Sequence, residues 1–255
     1  MKSVIIIPAR FGSSRYKGKP LILINNVPLV IRVIKKCEKV LGNKNVYVAT
    51  DNKLIAKTVK DYGHNFIMTS KKNLTGTDRV AEASKKINAN IIINVQGDEP
   101  LINPTDIKKV LNKKKKHLSH IVCGYCDLRN DENVNRNTIP KVVFNEKNEL
   151  IYISRGKIPS SKKNDDEIKF YKQVCIYAYT KKELYSFKKF NRKSKIEKIE
   201  DIEILRFFEL KKKIKMVKVS NSAVAVDEPS DKIKVEKILN EKKKRKKFSY
   251  WSGRI

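Results

Sequence analysis

Two stretches of the chain, residues 4–8 and 91–93, hold only apolar side chains, mostly β-branched ones. A strand with one wet face alternates apolar and polar residues, so short unbroken runs of this kind belong to strands covered on both faces, as in a parallel sheet. The first run ends at Ala9 in a polar loop of glycine, serine and lysine, residues 10–20. Apolar residues then recur at Leu29, Val30, Val33, Ile34, Cys37 and Leu41, a helical spacing closed by Gly42. The pattern repeats with a strand over 45–50, a helix over 53–62, a short strand near Phe66, a helix over 78–87 and a strand over 90–96. Asn103 as N-cap and Pro104 at the first helical position open the next helix. This alternation predicts a mainly parallel sheet flanked by helices, with ligands gathering beyond the carboxyl ends of its strands. Three polar segments fall there: the loop after Ala9, the pair Thr50 and Asp51, and Gln96, Gly97 and Asp98.

From about residue 120 the alternation weakens. Strands over 120–128, 141–144, 150–153 and 173–179, with a polar loop over 160–169, predict an antiparallel extension. A helix over 197–210 follows, with Ile199, Ile202, Leu205 and Phe208 on one stripe, then a strand over 215–219. The chain reaches Val226 and Asp227 and ends in a helix opened by Glu228, Pro229 and Ser230. A chain of 255 residues reads as one α/β domain over 1–241, with the extension inserted at about 128–210 and a basic tail over 242–255.

Lysine and arginine number 58 against 27 acidic residues, a formal charge of +31. The lysines are spread over nearly every expected helix and loop, as solvated faces are. No basic stripe interleaved with aromatics and no zinc or homeodomain pattern accompanies them, so a nucleic-acid-binding module is only an alternative, one that would show steeply salt-dependent duplex affinity. The tail's basic run over 242–247, followed by Phe248, Tyr250 and Trp251, is its densest feature. Cys123 and Cys126 form a lone C-x-x-C within a strand, a pattern that fits ordinary core or surface thiols better than a metal or redox site. With no signal-peptide pattern and no apolar span, the expectation is a soluble cytoplasmic protein without membrane insertion.

The loop over 10–20 brings four cations, Arg10, Arg15, Lys17 and Lys19, together with Ser13 and Ser14 to the end of the first strand. Backbone N–H groups with arginine and lysine suit a polyphosphate, although the loop matches neither a dinucleotide fingerprint nor a P-loop. Asp98 follows an apolar strand, and Asp227 follows the apolar stretch 223–226. Two such carboxylates, if they converge, would hold magnesium; taken singly, each fits a turn former or helix cap equally well.

The segments 5–10 with the loop to Lys19 and Pro20, 49–51, 75–79, 94–100, Ser154 with Arg155, and 226–229 occur in an order that resembles the CMP-Kdo synthetases, where Kdo is 3-deoxy-D-manno-octulosonate. The resemblance spans nearly the whole chain and implies a nucleotidyltransferase-type, Rossmann-like fold with an antiparallel extension for dimerisation and sugar binding. The implied reaction moves CMP from CTP to the anomeric hydroxyl of Kdo, for lipopolysaccharide biosynthesis, in a cytoplasmic homodimer. It implies that Arg10, Ser14, Arg15 and Lys19 hold the triphosphate, and that Arg79 and Gln96 position the nucleotide, Gln96 also touching the sugar. Asp98 and Asp227 would hold magnesium, and with Arg10 and Lys19 would form the catalytic group. Arg155, Gln173, Tyr177 and Glu203 would contact the sugar. Such chemistry relies on positioning and charge rather than a protein nucleophile, which fits a chain whose three histidines, His64, His117 and His120, sit in no nucleophile motif.

Two positions depart from the family pattern. Gln173 stands where the family often has histidine, and Ile204 where it often has glutamine. Both bear on the sugar. Glutamine cannot carry charge and isoleucine offers no donor, so a modified Kdo with an amine in place of a hydroxyl is an alternative to Kdo itself, as is another acidic sugar such as a nonulosonate. A generic sugar-1-phosphate nucleotidyltransferase fits less well, because the first loop differs from that family's glycine-rich signature.

Overall fold

β1 (Ser3–Ala9) is the axis of the molecule: Val4 and Ile6 enter one apolar cluster while Ile5, Ile7 and Ala9 enter another on the opposite face. The structure is a computed structural model that describes residues 1–12, 16–129, 131–162, 168–222 and 224–252. A hairpin of β2 (Leu23–Ile24) and β3 (Val27–Pro28) leads into α1 (Leu29–Leu41). There follow β4 (Val46–Thr50), α2 (Lys53–Asp61), β5 (Asn65–Met68), α3 (Gly76–Lys85), β6 (Ile91–Val95) and α4 (Pro104–Lys116). Asn52, Thr75 and Asn103 cap α2, α3 and α4 with their side chains, so each strand-end loop is tied to the helix after it.

β4 and β6 flank β1 in parallel, with Ile5 opposite Val46 and Ile93, and β5 adds outside β4. α1, α2 and α4 cover one face of the sheet through residues such as Ile31, Ile55 and Val110. The other face is covered through Val80 of α3 and, from later in the chain, Leu184, Phe187 and Phe207.

The second half comprises β7 (Ile121–Asp127), β8 (Lys141–Phe144), β9 (Leu150–Ser154), β10 (Tyr171–Thr180), α5 (Lys181–Lys189), α6 (Lys195–Glu200), α7 (Arg206–Glu209), β11 (Ile214–Lys218) and α8 (Pro229–Ser252). The main sheet runs β11-β7-β10-β6-β1-β4-β5, with β8 and β9 attached to its side. β10 is therefore not confined to an inserted extension over 128–210: it lies in the middle of the sheet, antiparallel to both β6 and β7. Its reversal lets one strand supply hydrogen bonds to both halves.

The structure departs from the expected helices in two places. The helix over 197–210 is broken at Asp201, which adopts a left-handed φ of 48°, and a 3₁₀ turn over Glu203–Leu205 separates α6 from α7. The Arg155 guanidinium donates to the Glu200 and Asp201 carbonyls released at that break. α5 was not expected; Thr180 and Glu183 form its capping box directly at the end of β10. α8 continues past residue 242, where the basic segment begins, to Ser252, while residues 253–255 lie outside the described residues. Cys123 and Cys126 are both buried, on opposite faces of β7. Among the described residues no helix is long and apolar enough to cross a membrane.

Candidate active site

Three loops converge at the carboxyl end of the sheet. In the first, Gly18 takes a left-handed φ of 70°, and its N–H donates to the Phe11 carbonyl at 3.0 Å, turning the chain into the 3₁₀ turn that begins with Lys19 and the buried Pro20. In the second, Gly97 passes so close to β1 that a Cβ there would stand 2.9 Å from the Pro8 carbonyl oxygen, so only glycine allows Asp98 to reach this point. In the third, the Val226 N–H donates to the Asp98 carbonyl at 2.9 Å, fixing the spacing of the second and third loops. The Asp231 carboxylate, in the first turn of α8, accepts from the Asp227 and Glu228 N–H groups, each at 3.0 Å. A small cluster of Ile24, Leu29, Leu101, Val226 and Val235, with Tyr16 packed against it, joins all three loops to α8.

At the convergence the Lys19 ammonium donates to Asp98 Oδ2 at 2.7 Å and to Asp227 Oδ1 at 3.0 Å. Burial alone would lower the Lys19 pKa, but the two carboxylates, Asp98 foremost, hold it above the ordinary lysine value. Two hard oxygen donors thus already converge on one cation, the ligand chemistry that suits magnesium. Among the described residues no group of three His, Cys, Asp or Glu side chains could hold a metal, so the protein would supply a minority of such an ion's ligands.

Asp98 and Asp227 line a cavity of about 730 Å³ together with Gln96, Arg155, Gln173, Tyr177 and Glu203. Those five are the sugar contacts expected from the sequence, and the fold brings them together. Gln173 Nε2 donates to the Tyr177 hydroxyl at 3.0 Å, and the Tyr177 ring stacks near Tyr179. The Glu203 carboxylate caps α3, accepting from the Gly76 N–H at 2.9 Å and the Thr77 N–H at 2.7 Å. Arg155 is braced by the carbonyls of Asn137 and Asp201, at 2.8 and 3.1 Å.

Other expected residues lie elsewhere. Arg79 is buried and engaged by Asp51 at 2.7 Å and Thr69 at 2.6 Å, so it fixes the loop ends of β4 and β5 and does not line the cavity. Arg10 is exposed at the end of β1, also outside the cavity lining; the Asp201 carboxyl is held below its ordinary pKa chiefly by its hydrogen bond from Lys193, with Arg155 and Arg10 adding smaller contributions. Ser14 and Arg15 lie outside the described residues. Ile204 is buried in the apolar core, so its departure from the family pattern is a matter of packing.

Sequence reasoning missed two groups in the cavity wall. Glu99, inside the 94–100 segment, is buried with its Oε2 unpartnered; burial first, then the charges of Asp98 and Asp227, push its carboxyl up to about 8. Lys172 on β10 pairs with Glu132, which also faces the Arg129 guanidinium; nothing in their spacing marks them.

The fold has solved counterparts among sugar nucleotidyltransferases: a putative glucose-1-phosphate thymidylyltransferase from Bacillus anthracis superposes with a TM-score of 0.65 at 13% identity, covering 92% of this chain and 94% of that one. A structure of CMP:2-keto-3-deoxy-manno-octonic acid synthetase complexed with CTP matches far better, with a TM-score of 0.88 and 33% identity over 95% of this chain and all of that one. The cytidylyltransferase family model matches residues 4–214, and the chain belongs to that family. An 8-amino-3,8-dideoxy-manno-octulosonate cytidylyltransferase from Shewanella sp. (strain W3-18-1) is 36% identical, covering 94% of this chain and 99% of the relative. The Shewanella oneidensis protein of the same description is 34% identical with the same coverage.

Proposed function

We propose that this cytidylyltransferase transfers CMP from CTP to the anomeric hydroxyl of a 3-deoxy-manno-octulosonate, releasing pyrophosphate, and that its acceptor is the 8-amino form. The observation that carries the reaction is the convergence of Lys19 on Asp98 and Asp227, two carboxylates that line the cavity. The amino form is favoured by the Shewanella relatives and by Gln173, an uncharged side chain on the cavity wall that would not repel an ammonium group. Kdo itself is the second reading, favoured by the likeness to the CMP:2-keto-3-deoxy-manno-octonic acid synthetase.

In this reading Asp98 and Asp227 hold magnesium, which when bound would neutralise phosphate charge and acidify a nearby hydroxyl. Lys19, Arg10 and Arg15 neutralise the triphosphate, and Ser14 donates a hydrogen bond to it. Gln96 and Tyr177 present hydrogen-bonding groups to the sugar, and Arg155 offers its charge to the sugar carboxylate. The anomeric oxygen forms the new bond to the α-phosphorus as the bond to pyrophosphate breaks. None of the three histidines lines the cavity, so positioning carries the step and no imidazole base is called on. The enzyme would act in the cytoplasm as a homodimer, its product going to lipopolysaccharide biosynthesis.

Pyrophosphate release with CTP, UTP, ATP or GTP, each offered with Kdo and with its 8-amino analogue, tests the reading. Release should require CTP, run faster with the amino sugar, and fall about a thousandfold or more in Asp98→Ala. Faster release with Kdo would establish the second reading, and release with neither sugar would reject both.

A further inference from the structure

Lys19 occupies an unusual place for a phosphate-binding side chain. Its backbone is pinned by the left-handed Gly18 and the buried Pro20, yet its flexible stem carries the ammonium away to span two carboxylates from distant loops. Those carboxylates are held near each other without it, by the Val226 to Asp98 backbone bond and by the Asp231 cap under Asp227. Two negative groups within reach of one ammonium repel each other, and Lys19 offsets that repulsion from within the chain. A divalent ion bound by the same two oxygens would meet the ammonium within a few ångströms, a like-charge contact that one of the two must leave.

We propose that Lys19 is a resident counter-ion of the Asp98–Asp227 pair and that it couples metal entry to nucleotide binding. The divalent ion enters as the ammonium leaves, and the displaced ammonium turns to the triphosphate in the adjoining loop. The inference rests on the proposed role of Asp98 and Asp227 as metal ligands. Its consequence is reciprocal: phosphate that draws Lys19 away strengthens metal binding by the factor by which metal, in displacing Lys19, strengthens phosphate binding. Metal alone therefore binds the protein weakly, because it must first break two charge-assisted hydrogen bonds.

The test is Mn²⁺ binding to the full chain without nucleotide, followed by the paramagnetic resonance of the free ion. Lys19→Met and Lys19→Gln should each bind Mn²⁺ about tenfold more tightly than the unaltered chain, the scale of a lost charged hydrogen bond. Either variant suffices if the other fails to fold. Adding Asp98→Asn should abolish the tight site in both backgrounds. Equal or weaker affinity in the Lys19 variants, at a site that Asp98→Asn still removes, overturns the counter-ion role and leaves the proposed reaction standing. Mn²⁺ binding indifferent to Asp98→Asn overturns the metal assignment and this inference together.

Discussion

The two halves of the sheet are built from different materials. The strands β5, β4, β1 and β6 are closed by branched aliphatic side chains, with Ile5, Ile7, Ile91 and Ile93 all fully buried. The half that carries β7 to β10 and α5 to α7 buries apolar side chains too, Ile121, Ile176 and Phe187 among them, but adds buried full charges where it docks on the first. Lys114, wholly buried at the end of α4, donates to the Glu183 carboxylate of α5 at 2.7 Å and to the Leu118 carbonyl at 3.0 Å. Arg206, also wholly buried, lies 3.8 Å above the Phe187 ring and joins Glu197 to Asp78 of α3. Apolar burial is tolerant of exchange among similar shapes, whereas a buried ion network requires every member. The first half should therefore be sensitive to volume, and the second to charge as well.

The largest expected difference follows from removing one member of each. Arg206→Met should cost about 3–5 kcal/mol in urea unfolding at neutral pH, because Asp78 and Glu197 stay buried without their cation. Replacing the two acids as well, by Asp78→Asn and Glu197→Gln, should return part of that loss, because no uncompensated charge is then buried. Ile93→Ala should cost about 2–5 kcal/mol, as a cavity in an apolar core does. No recovery in the triple variant would mean that the second half is held by packing, as the first is.

Glu99 sharpens the contrast at the boundary between the halves. Its folded pKa of about 8 lies above the ordinary 4.5, so between those values the unfolded chain ionises while the folded one stays protonated. Glu99 therefore removes stability as pH rises through that window and has no further effect above it, a contribution of a few kcal/mol. Unfolding of the chain and of Glu99→Gln, with chelator present so that no divalent ion sits on the neighbouring aspartates, should show the difference in slope. Parallel pH profiles would show that the Glu99 carboxyl is ionised in the fold. The smallest effect concerns the sugar wall: Gln173→Ala should raise the sugar KM by up to about tenfold and leave the CTP KM unchanged, as expected for one hydrogen bond. An equal change in both would place Gln173 on the nucleotide side.

Much of the first half was legible because its information is local. The run in β1, the cap at Asn103 and the strand-end position of Asp98 each follow from residues within a few places of one another. The other half depends on partners distant in sequence. Nothing around residues 171–180 states that β10 will enter the centre of the sheet, because that choice is made by edges offered by β6 and β7. The break at Asp201 depends on Arg155, which reaches it from beyond β9. Within the site, residue types announced the carboxylates and the lysine, but only the fold brings Lys19 between the two aspartates and turns Arg79 inward to Asp51.

The backbone bond from Val226 to the Asp98 carbonyl also bears on how the molecule is made. Asp98 leaves the ribosome with the first half of the sheet, whereas Asp227 follows the last strand, β11. Domains begin to fold from the N-terminal side during synthesis, so the parallel strands can pack while the second carboxylate is still unmade. A nascent or truncated chain ending at residue 214, where the family match stops, would carry the first loop but only one acid. Such a fragment would retain phosphate-binding groups without the pair that Lys19 now bridges, so the competent site is among the last features to be assembled.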